Sequence, residues 1–106
     1  MRTFAEFWPF YLREHSQPAT RGLHFAGTTL SLLLILCAPA LRRPWLLLGA
    51  AVCGYAFAWI GHFFVEHNRP ATFKYPLWSL RADWKMSALA LAGRLGPELQ
   101  RAEVAP

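Results

Sequence analysis

Apolar residues dominate two long blocks of this chain, and charged residues stand at the edges of both blocks. No Asp, Glu, Lys or Arg occurs in the twenty residues between Arg21 and Arg42, nor in the twenty-two between Arg43 and Glu66. At about 1.5 Å of rise per residue, a helix formed by either block is long enough to cross a hydrocarbon core about 30 Å thick. The pattern therefore predicts two transmembrane helices.

The two predicted spans follow each other closely in the sequence. Span one covers about 22–41 and span two about 45–65, and only the polar turn Arg42-Arg43-Pro44 separates them. Pro44 suits the first turn of a helix, where an N–H group would lack a partner in any case. We therefore predict a helical hairpin. Small residues at helical steps along span two predict a face that packs against a second copy of the chain or against residues 77–95: Gly54, Ala58 and Gly61.

The residues before the first span have the pattern of an amphipathic helix. Aromatic and apolar side chains recur three and four residues apart, which predicts a helix lying on the membrane surface: Phe4, Phe7, Trp8, Tyr11 and Leu12. Pro18 is predicted to end this helix, because the residue before a proline avoids the helical region.

The segment after the second span has conflicting patterns. From Leu77 to Leu95 polar and apolar residues alternate, as they do in a β-strand. A single strand beside a bilayer would leave backbone groups unpaired, so an interfacial or re-entrant helix is predicted instead. The last residues, 96–106, are polar and are predicted to form a flexible tail. The chain is thus predicted to be a single all-α membrane domain over residues 1–95.

Composition and charge agree with a membrane protein and exclude other classes. Of the 106 residues, 55% are hydrophobic and 16% are charged, whereas a soluble domain usually has about 25% charged residues. The formal net charge is +5, but the basic residues flank the apolar blocks and form no stripe with exposed aromatics, so no nucleic acid partner is expected. Basic residues mark the cytoplasmic end of a span. Because only Arg42 and Arg43 lie at the turn, both termini are predicted to be cytoplasmic.

All four histidines are predicted to lie at the same face of the membrane. His24 lies just inside the start of span one, and His62 lies four residues before Glu66, at the end of span two. Because the two spans run in opposite directions, the depths of these two histidines differ by only about 1.5 Å. His15 precedes span one and His67 follows span two, so both belong to the same face. Such convergence is what a metal site at the mouth of a helix bundle requires.

The residue types at this face suit a metal ion. Glu66 is predicted to share a helix face with His62, whereas His67 is turned by about 140° from His62 and is predicted to point elsewhere. Imidazole and carboxylate ligands suit non-haem Fe(II), and less distinctively Zn(II) or Mn(II). We therefore expect His15, His24 and His62 as ligands. Glu66 is a candidate fourth ligand, and His67 is a weaker one.

The sequence leaves two alternatives open. His24 and His62, on adjacent spans, could hold a haem as its two axial ligands. The histidines could also simply pack between the helices of a non-catalytic membrane scaffold. Three basic residues at the same face are candidates to bind a substrate carboxylate or lipid headgroups: Arg13, Arg69 and Lys74.

Two segments of the chain resemble a known family. They are FYLREHSQPATRGLHFAGTTL, from Phe10 to Leu30, and GYAFAWIGHFFVEHNRPATFKYPLWSL, from Gly54 to Leu80. Their H-x8-H and G-H-x3-E-x3-P spacings resemble those of short bacterial members of the Mpo-type membrane proteins. Fungal members of that family are Fe(II)-dependent dioxygenases of the endoplasmic reticulum that shorten 2-hydroxy fatty acids by one carbon.

The resemblance implies a function, a cofactor and a location. His15, His24 and His62 are implied to bind Fe(II), and Glu66 is implied to act as a further ligand or to orient one. The implied substrates are a 2-hydroxy fatty acid and dioxygen. The expected location is the bacterial inner membrane, and the distribution of basic residues predicts that the metal lies on the cytoplasmic side. The chemistry is consistent, because a 2-hydroxy acid can chelate a metal through its carboxylate and its hydroxyl. With three protein ligands and dioxygen, these two oxygens fill about six positions.

Overall fold

The computed structural model describes residues 1–104, and within this range the chain is all-helical and contains no strand. This confirms the predicted all-α class. The helices follow one another along the chain as α1 (Phe4–Arg13), α2 (Pro18–Ala40), α3 (Leu46–Ile60), a π-helical turn (Gly61–Glu66), a short 3-10 turn (Ala71–Phe73), α4 (Pro76–Leu91) and α5 (Leu95–Arg101).

Two of these segments are long and apolar enough to cross a membrane. They are Pro18–Ala40, which is α2, and Leu46–Glu66, which is α3 together with the π-helical turn. The first begins earlier than predicted, because α1 already ends at Arg13 and Pro18 starts α2 instead of ending α1. A proline fits the first turn of a helix, and the residue before it, Gln17, is extended as expected.

The small residues of α3 and of the π-helical turn lie against α2. A Cβ placed on Gly54 would meet Ser31 at 3.1 Å, and one placed on Gly61 would meet Thr20 at 2.9 Å. Residue numbers rise along α2 as they fall along the second helix, so the two run antiparallel. The prediction that this face packs on a second copy or on 77–95 is therefore wrong for these two glycines. The short connection keeps α2 beside α3, so α2 covers the small-residue face of α3.

The hydrophobic core lies at one end of the α2–α3 pair and is built from α1, α4 and α5. The apolar face of α1 is buried there instead of lying on a membrane surface, because α4 and α5 cover it. Residues from 96 onward were expected in a polar tail, but α5 carries Leu95 and Leu99 into this core. Residues 77–95 are helical as predicted, since α4 covers most of that segment.

Candidate metal centre

Three histidines from three different parts of the fold meet at the junction of α2, the π-helical turn and the core. His15 follows the end of α1, His24 lies in the second turn of α2, and His62 lies in the π-helical turn. Their side chains are 1%, 5% and 2% exposed. One ring nitrogen from each lies within 4.8 Å of the other two. This is the arrangement expected of three ligands to one metal ion.

Two of the imidazole rings are held by acceptors that define where the ring proton lies. His15 Nδ1 lies 2.7 Å from the carbonyl oxygen of Tyr11, which can only accept, so Nδ1 donates. His62 Nδ1 lies 2.7 Å from Oδ1 of Asn68. The amide nitrogen of Asn68 donates to Glu14, which turns the amide oxygen towards the histidine. Both rings therefore carry the proton on Nδ1 and a free lone pair on Nε2.

The third ring is held by a carboxylate. His24 Nδ1 lies 3.5 Å from Oδ1 of Asp83, which also accepts the hydroxyl hydrogen of Tyr11 at 2.5 Å. Asp83 thus offers an acceptor near Nδ1 for the state in which Nε2 of His24 would bind a metal. An outer acceptor that fixes the ring tautomer is a regular feature of metal-binding histidines.

The remaining distance in the cluster provides a test of whether a metal fits. Nε2 of His15 lies 2.8 Å from Nε2 of His24. Because His15 carries its proton on Nδ1, Nε2 of His24 donates to Nε2 of His15 when no metal is bound, and a shared cation would take the place of that hydrogen. Burial holds the pKa of His15 well below its usual range, and the two neighbouring histidines lower it further. The ring is therefore neutral near pH 7, which is the state that binds metal.

The three-histidine cluster leaves no room for the haem alternative. The His15 ring centroid lies 4.3 Å from that of His24 and 4.5 Å from that of His62, and the latter two are 5.4 Å apart. His15 is thus almost equidistant from the other two rings and lies in the plane that a porphyrin between them would occupy.

Asp83 is a residue of the site that the sequence analysis missed. It is the one acidic residue between Leu77 and Leu95. This isolated acidic residue was the sequence feature that could have identified it as part of the site. Burial raises the pKa of its carboxyl group to about 6, although the Tyr11 hydroxyl opposes the shift. Asn68 was missed as well, because its role depends on how the loop after the π-helical turn folds back on Glu14.

Glu66 lies outside the three-histidine cluster and binds the start of α2. One of its carboxylate oxygens accepts from the backbone N–H and the hydroxyl of Ser16, and the other accepts from the N–H of Gln17 and the hydroxyl of Thr20. A carboxylate is favourable here because a helix N-terminus has unpaired N–H groups and a partial positive charge. The wider π-helical turn moves Glu66 off the His62 face on which an α-helix would place it.

The other candidates from the sequence also lie apart from the cluster. His67 is exposed and ends the π-helical turn in a left-handed conformation with φ 57°. Arg13 is exposed. Arg69 stacks on Phe73, and Lys74 lies over the ring of Tyr75. Both cations line a separate cavity beside the loop before α4.

The histidines open into a cavity of about 390 Å³ between α2, α3 and α4. Among the residues that the structure describes, those around this cavity include no Lys or Arg. Ser79 of α4 lines it and is 3% exposed, and its hydroxyl has no hydrogen-bond partner within the chain. Away from the histidines the lining extends along α2 and α3 to Ile35 and Ala51, and both of these residues are exposed.

Comparisons with known proteins gave one match. A protein-family model described as "2-hydroxy-palmitic acid dioxygenase Mpo1-like" matches residues 1–95. No curated protein and no solved structure matches the chain significantly. The matched range includes the three clustered histidines and the acceptors that hold their rings.

Proposed function

The chain belongs to the Mpo1-like family, and from this premise we propose that it is a membrane-embedded, Fe(II)-dependent dioxygenase. Its substrates are 2-hydroxy fatty acids, and its products are one carbon shorter. The observation that carries the proposal is the buried cluster of His15, His24 and His62, with one nitrogen of each within 4.8 Å of the others. Three protein ligands leave positions open for substrate and dioxygen.

Two sets of residues would hold the metal: the histidines that bind it and the groups that orient the histidine rings. The Nε2 atoms of the three histidines hold it, and the Tyr11 carbonyl and the side chains of Asn68 and Asp83 hold the opposite sides of the rings. When bound, Fe(II) supplies electrons to activate dioxygen and the Lewis acidity that chelates a 2-hydroxy carboxylate. Imidazole alone does not select iron over zinc, and the dioxygenase chemistry of the family supports iron.

The cavity supports a substrate with a polar head and an apolar tail. No cationic side chain among its described lining residues meets the substrate carboxylate, so the charge of the head group is balanced at the metal. Ser79 lines the cavity, and its buried hydroxyl, which lacks a partner within the chain, would donate to that head group once the side chain turns towards it. The apolar walls exclude water from the reacting carbons.

We place α2 and Leu46–Glu66 across the bacterial inner membrane, with the histidines at the cytoplasmic end. Large apolar side chains are exposed along both helices, as lipid-facing residues are: Leu33, Leu36, Leu48 and Val52. In this placement both termini are cytoplasmic, and a fatty acid enters the site from the bilayer.

Iron content and product formation test the proposal. His62→Ala is expected to abolish both iron retention and dioxygen-dependent cleavage of 2-hydroxypalmitate, because two ligands hold iron poorly. The same loss is expected for His15→Ala and His24→Ala. His67→Ala is the matched control, since His67 is exposed and outside the cluster, and it should retain both properties. Full iron binding and activity in His62→Ala would overturn the proposal and favour the scaffold.

A further inference from the structure

A second cavity lies beside the segment that joins the π-helical turn to α4. Its volume is about 370 Å³, and among the described residues its lining contains two cations, Arg69 and Lys74, and no acidic side chain. We call it the cationic cavity. Pro70 and Ala71 line both this cavity and the one that holds the histidines. The two cavities therefore share a wall, and the cations border only the second of them.

The fold keeps the cationic cavity close to the end of the second long apolar helix. That helix ends at Glu66, three residues before Arg69, and three residues reach at most about 11 Å. The backbone N–H of Asn68 donates to the carbonyl oxygen of His62 at 2.9 Å, so the chain turns back towards the helix. In the proposed membrane placement Arg69 thus lies at the level of the lipid headgroups, which extend about 5–8 Å beyond each side of the hydrocarbon core.

Aromatic side chains continue from the cationic cavity along the outside of α3. Phe73 lines the cavity and is 50% exposed, and its ring centroid lies 5.3 Å from that of Trp59. Trp59 is itself exposed and lies seven residues before Glu66, within the apolar helix. Phe63 extends this surface, with its ring centroid 6.4 Å from that of Trp59. Aromatic residues of this kind are enriched where a membrane protein passes from lipid to water.

The two cations lie over aromatic rings and are not neutralised by acidic side chains. The guanidinium of Arg69 lies 4.8 Å from the centre of the Phe73 ring, and the ammonium of Lys74 lies 5.7 Å from that of Tyr75. Within residues 1–104 neither cation forms a salt bridge. A ring attracts a cation without cancelling its charge. Both cations therefore remain available to an anion in the cavity.

We propose that the cationic cavity binds the phosphate of an anionic phospholipid, whose acyl chains lie along Phe73, Trp59 and Phe63. The planar guanidinium of Arg69 can donate two N–H groups to phosphate oxygens, and the ammonium of Lys74 adds a second positive charge. A soluble phosphate would use the cations alone, whereas exposed aromatic rings beside them at headgroup depth suit a lipid. The proposal rests on the proposed membrane placement and does not depend on the dioxygenase activity.

Lipid binding by metal-free protein in micelles of a non-ionic detergent tests the proposal. Phosphatidylglycerol and phosphatidylcholine with the same brominated acyl chains are titrated separately, and quenching of tryptophan fluorescence reports binding. The unmodified protein is expected to bind phosphatidylglycerol at least about tenfold more tightly than phosphatidylcholine, because each of two nearby cations strengthens binding of an anionic headgroup about fivefold. The double variant Arg69→Gln with Lys74→Gln should bind the two lipids equally within about twofold.

A matched double variant separates a defined site from general attraction to surface charge. Arg2→Gln with Arg94→Gln removes the same charge from two exposed positions outside the lining of the cationic cavity, and it should retain the preference for phosphatidylglycerol. Equal loss of preference in the two double variants would overturn the site. Displacement of phosphatidylglycerol by an equal concentration of glycerol phosphate would overturn its assignment to a lipid.

The outcome is separable from that of the proposed function. Preference for phosphatidylglycerol without product formation from 2-hydroxypalmitate would contradict the proposed function alone. Product formation by a protein that binds the two lipids equally would contradict the lipid site alone.

Discussion

At the scale of single residues, the site depends on where each imidazole proton lies. A carbonyl, an amide oxygen and a carboxylate hold the Nδ1 atoms of His15, His62 and His24 in turn. Each contact restricts the rotation of its ring and supports Nε2 as the candidate ligand atom. The rings are thus oriented before any metal binds, which lowers the conformational entropy lost on binding.

The Ser79 hydroxyl provides a residue-scale prediction. Ser79→Ala removes a buried hydroxyl that has no partner, so the thermal stability of the free protein is expected to stay equal or rise, since such a group costs about 1–3 kcal/mol. Binding of 2-hydroxypalmitate, measured by displacement of a fluorescent fatty acid, is expected to weaken about tenfold through loss of a hydrogen bond to a charged group.

Ser87→Ala is the matched control for this prediction. Ser87 lies about two turns further along α4, its hydroxyl also lacks a partner, and it is not among the described residues that line the cavity. It should match Ser79→Ala in stability but leave ligand binding unchanged. Equal binding in the two variants would show that Ser79 does not contact the head group.

Glu66 provides a second residue-scale prediction. Glu66→Ala leaves the N–H groups of Ser16 and Gln17 without an acceptor, so the melting temperature is expected to fall. Iron affinity should fall on the order of 10- to 100-fold, as for residues that orient ligands, and should not be abolished. Glu66→Gln retains one acceptor oxygen, so its melting temperature and its iron affinity should lie between those of the unmodified protein and those of Glu66→Ala. An iron loss as complete as in His62→Ala would identify Glu66 as a ligand.

At the scale of elements, the close approach of α2 and α3 positions the histidines. Gly27 lies where the helices touch, since a Cβ on it would come within 2.8 Å of the Phe57 Cβ and 3.3 Å of the Cys53 carbonyl oxygen. The π-helical turn then begins at Gly61, which is in similarly close contact with Thr20. These glycines set the separation of the helices that carry His24 and His62.

Substitution of Gly27 tests this role. Gly27→Ala forces α2 away from α3 and is expected to destabilise the protein by about 1–3 kcal/mol and to weaken iron binding. Gly22→Ala is the matched control, because no atom lies within 4 Å of its Cβ position. It should stabilise the helix by about 0.5–1 kcal/mol. Thermal unfolding in micelles and iron content measure both effects, and similar behaviour of the two variants would contradict the close-packing argument.

At the scale of the whole molecule, the fold has two parts with different surroundings. The α2–α3 pair exposes large apolar side chains along its length, whereas α1, α4 and α5 build a buried core at one end, although α4 also leaves Leu77 and Leu91 exposed. The metal site lies where the two parts join, because α1 contributes the Tyr11 carbonyl and α4 contributes Asp83. In the proposed membrane placement, a fatty acid would reach the site from lipid while its head group stays at the core.

The orientation in the membrane is a prediction at this scale. In a variant lacking Cys37 and Cys53, a cysteine introduced by Arg43→Cys at the turn is expected to react with an impermeant thiol reagent from outside the inner membrane only. A cysteine introduced by Arg101→Cys should react from the cytoplasm only. The reason is the excess of Lys and Arg near the core end of the chain. The reverse labelling pattern would contradict the proposed orientation.

Local features of the sequence determined the helical class, the two long apolar helices and the three histidines that cluster at the candidate metal centre. Length and hydrophobicity specify such helices without reference to the rest of the chain. Helix geometry was enough to bring His15, His24 and His62 to one face, because each lies near an end of a helix whose direction follows from the short turn.

Only the tertiary structure decided the roles of the residues around the histidines. Tyr11 and Asp83 are 72 residues apart, and Ser16 and Glu66 are 50 apart. Which distant side chains meet depends on how α1, α4 and α5 pack, and hydrophobic periodicity does not specify that partnership. The same holds for the π-helical turn, which places Glu66 at the start of α2 instead of on the helix face that it was predicted to share with His62. It holds also for the cavity, which forms only where α4 packs over α2 and α3.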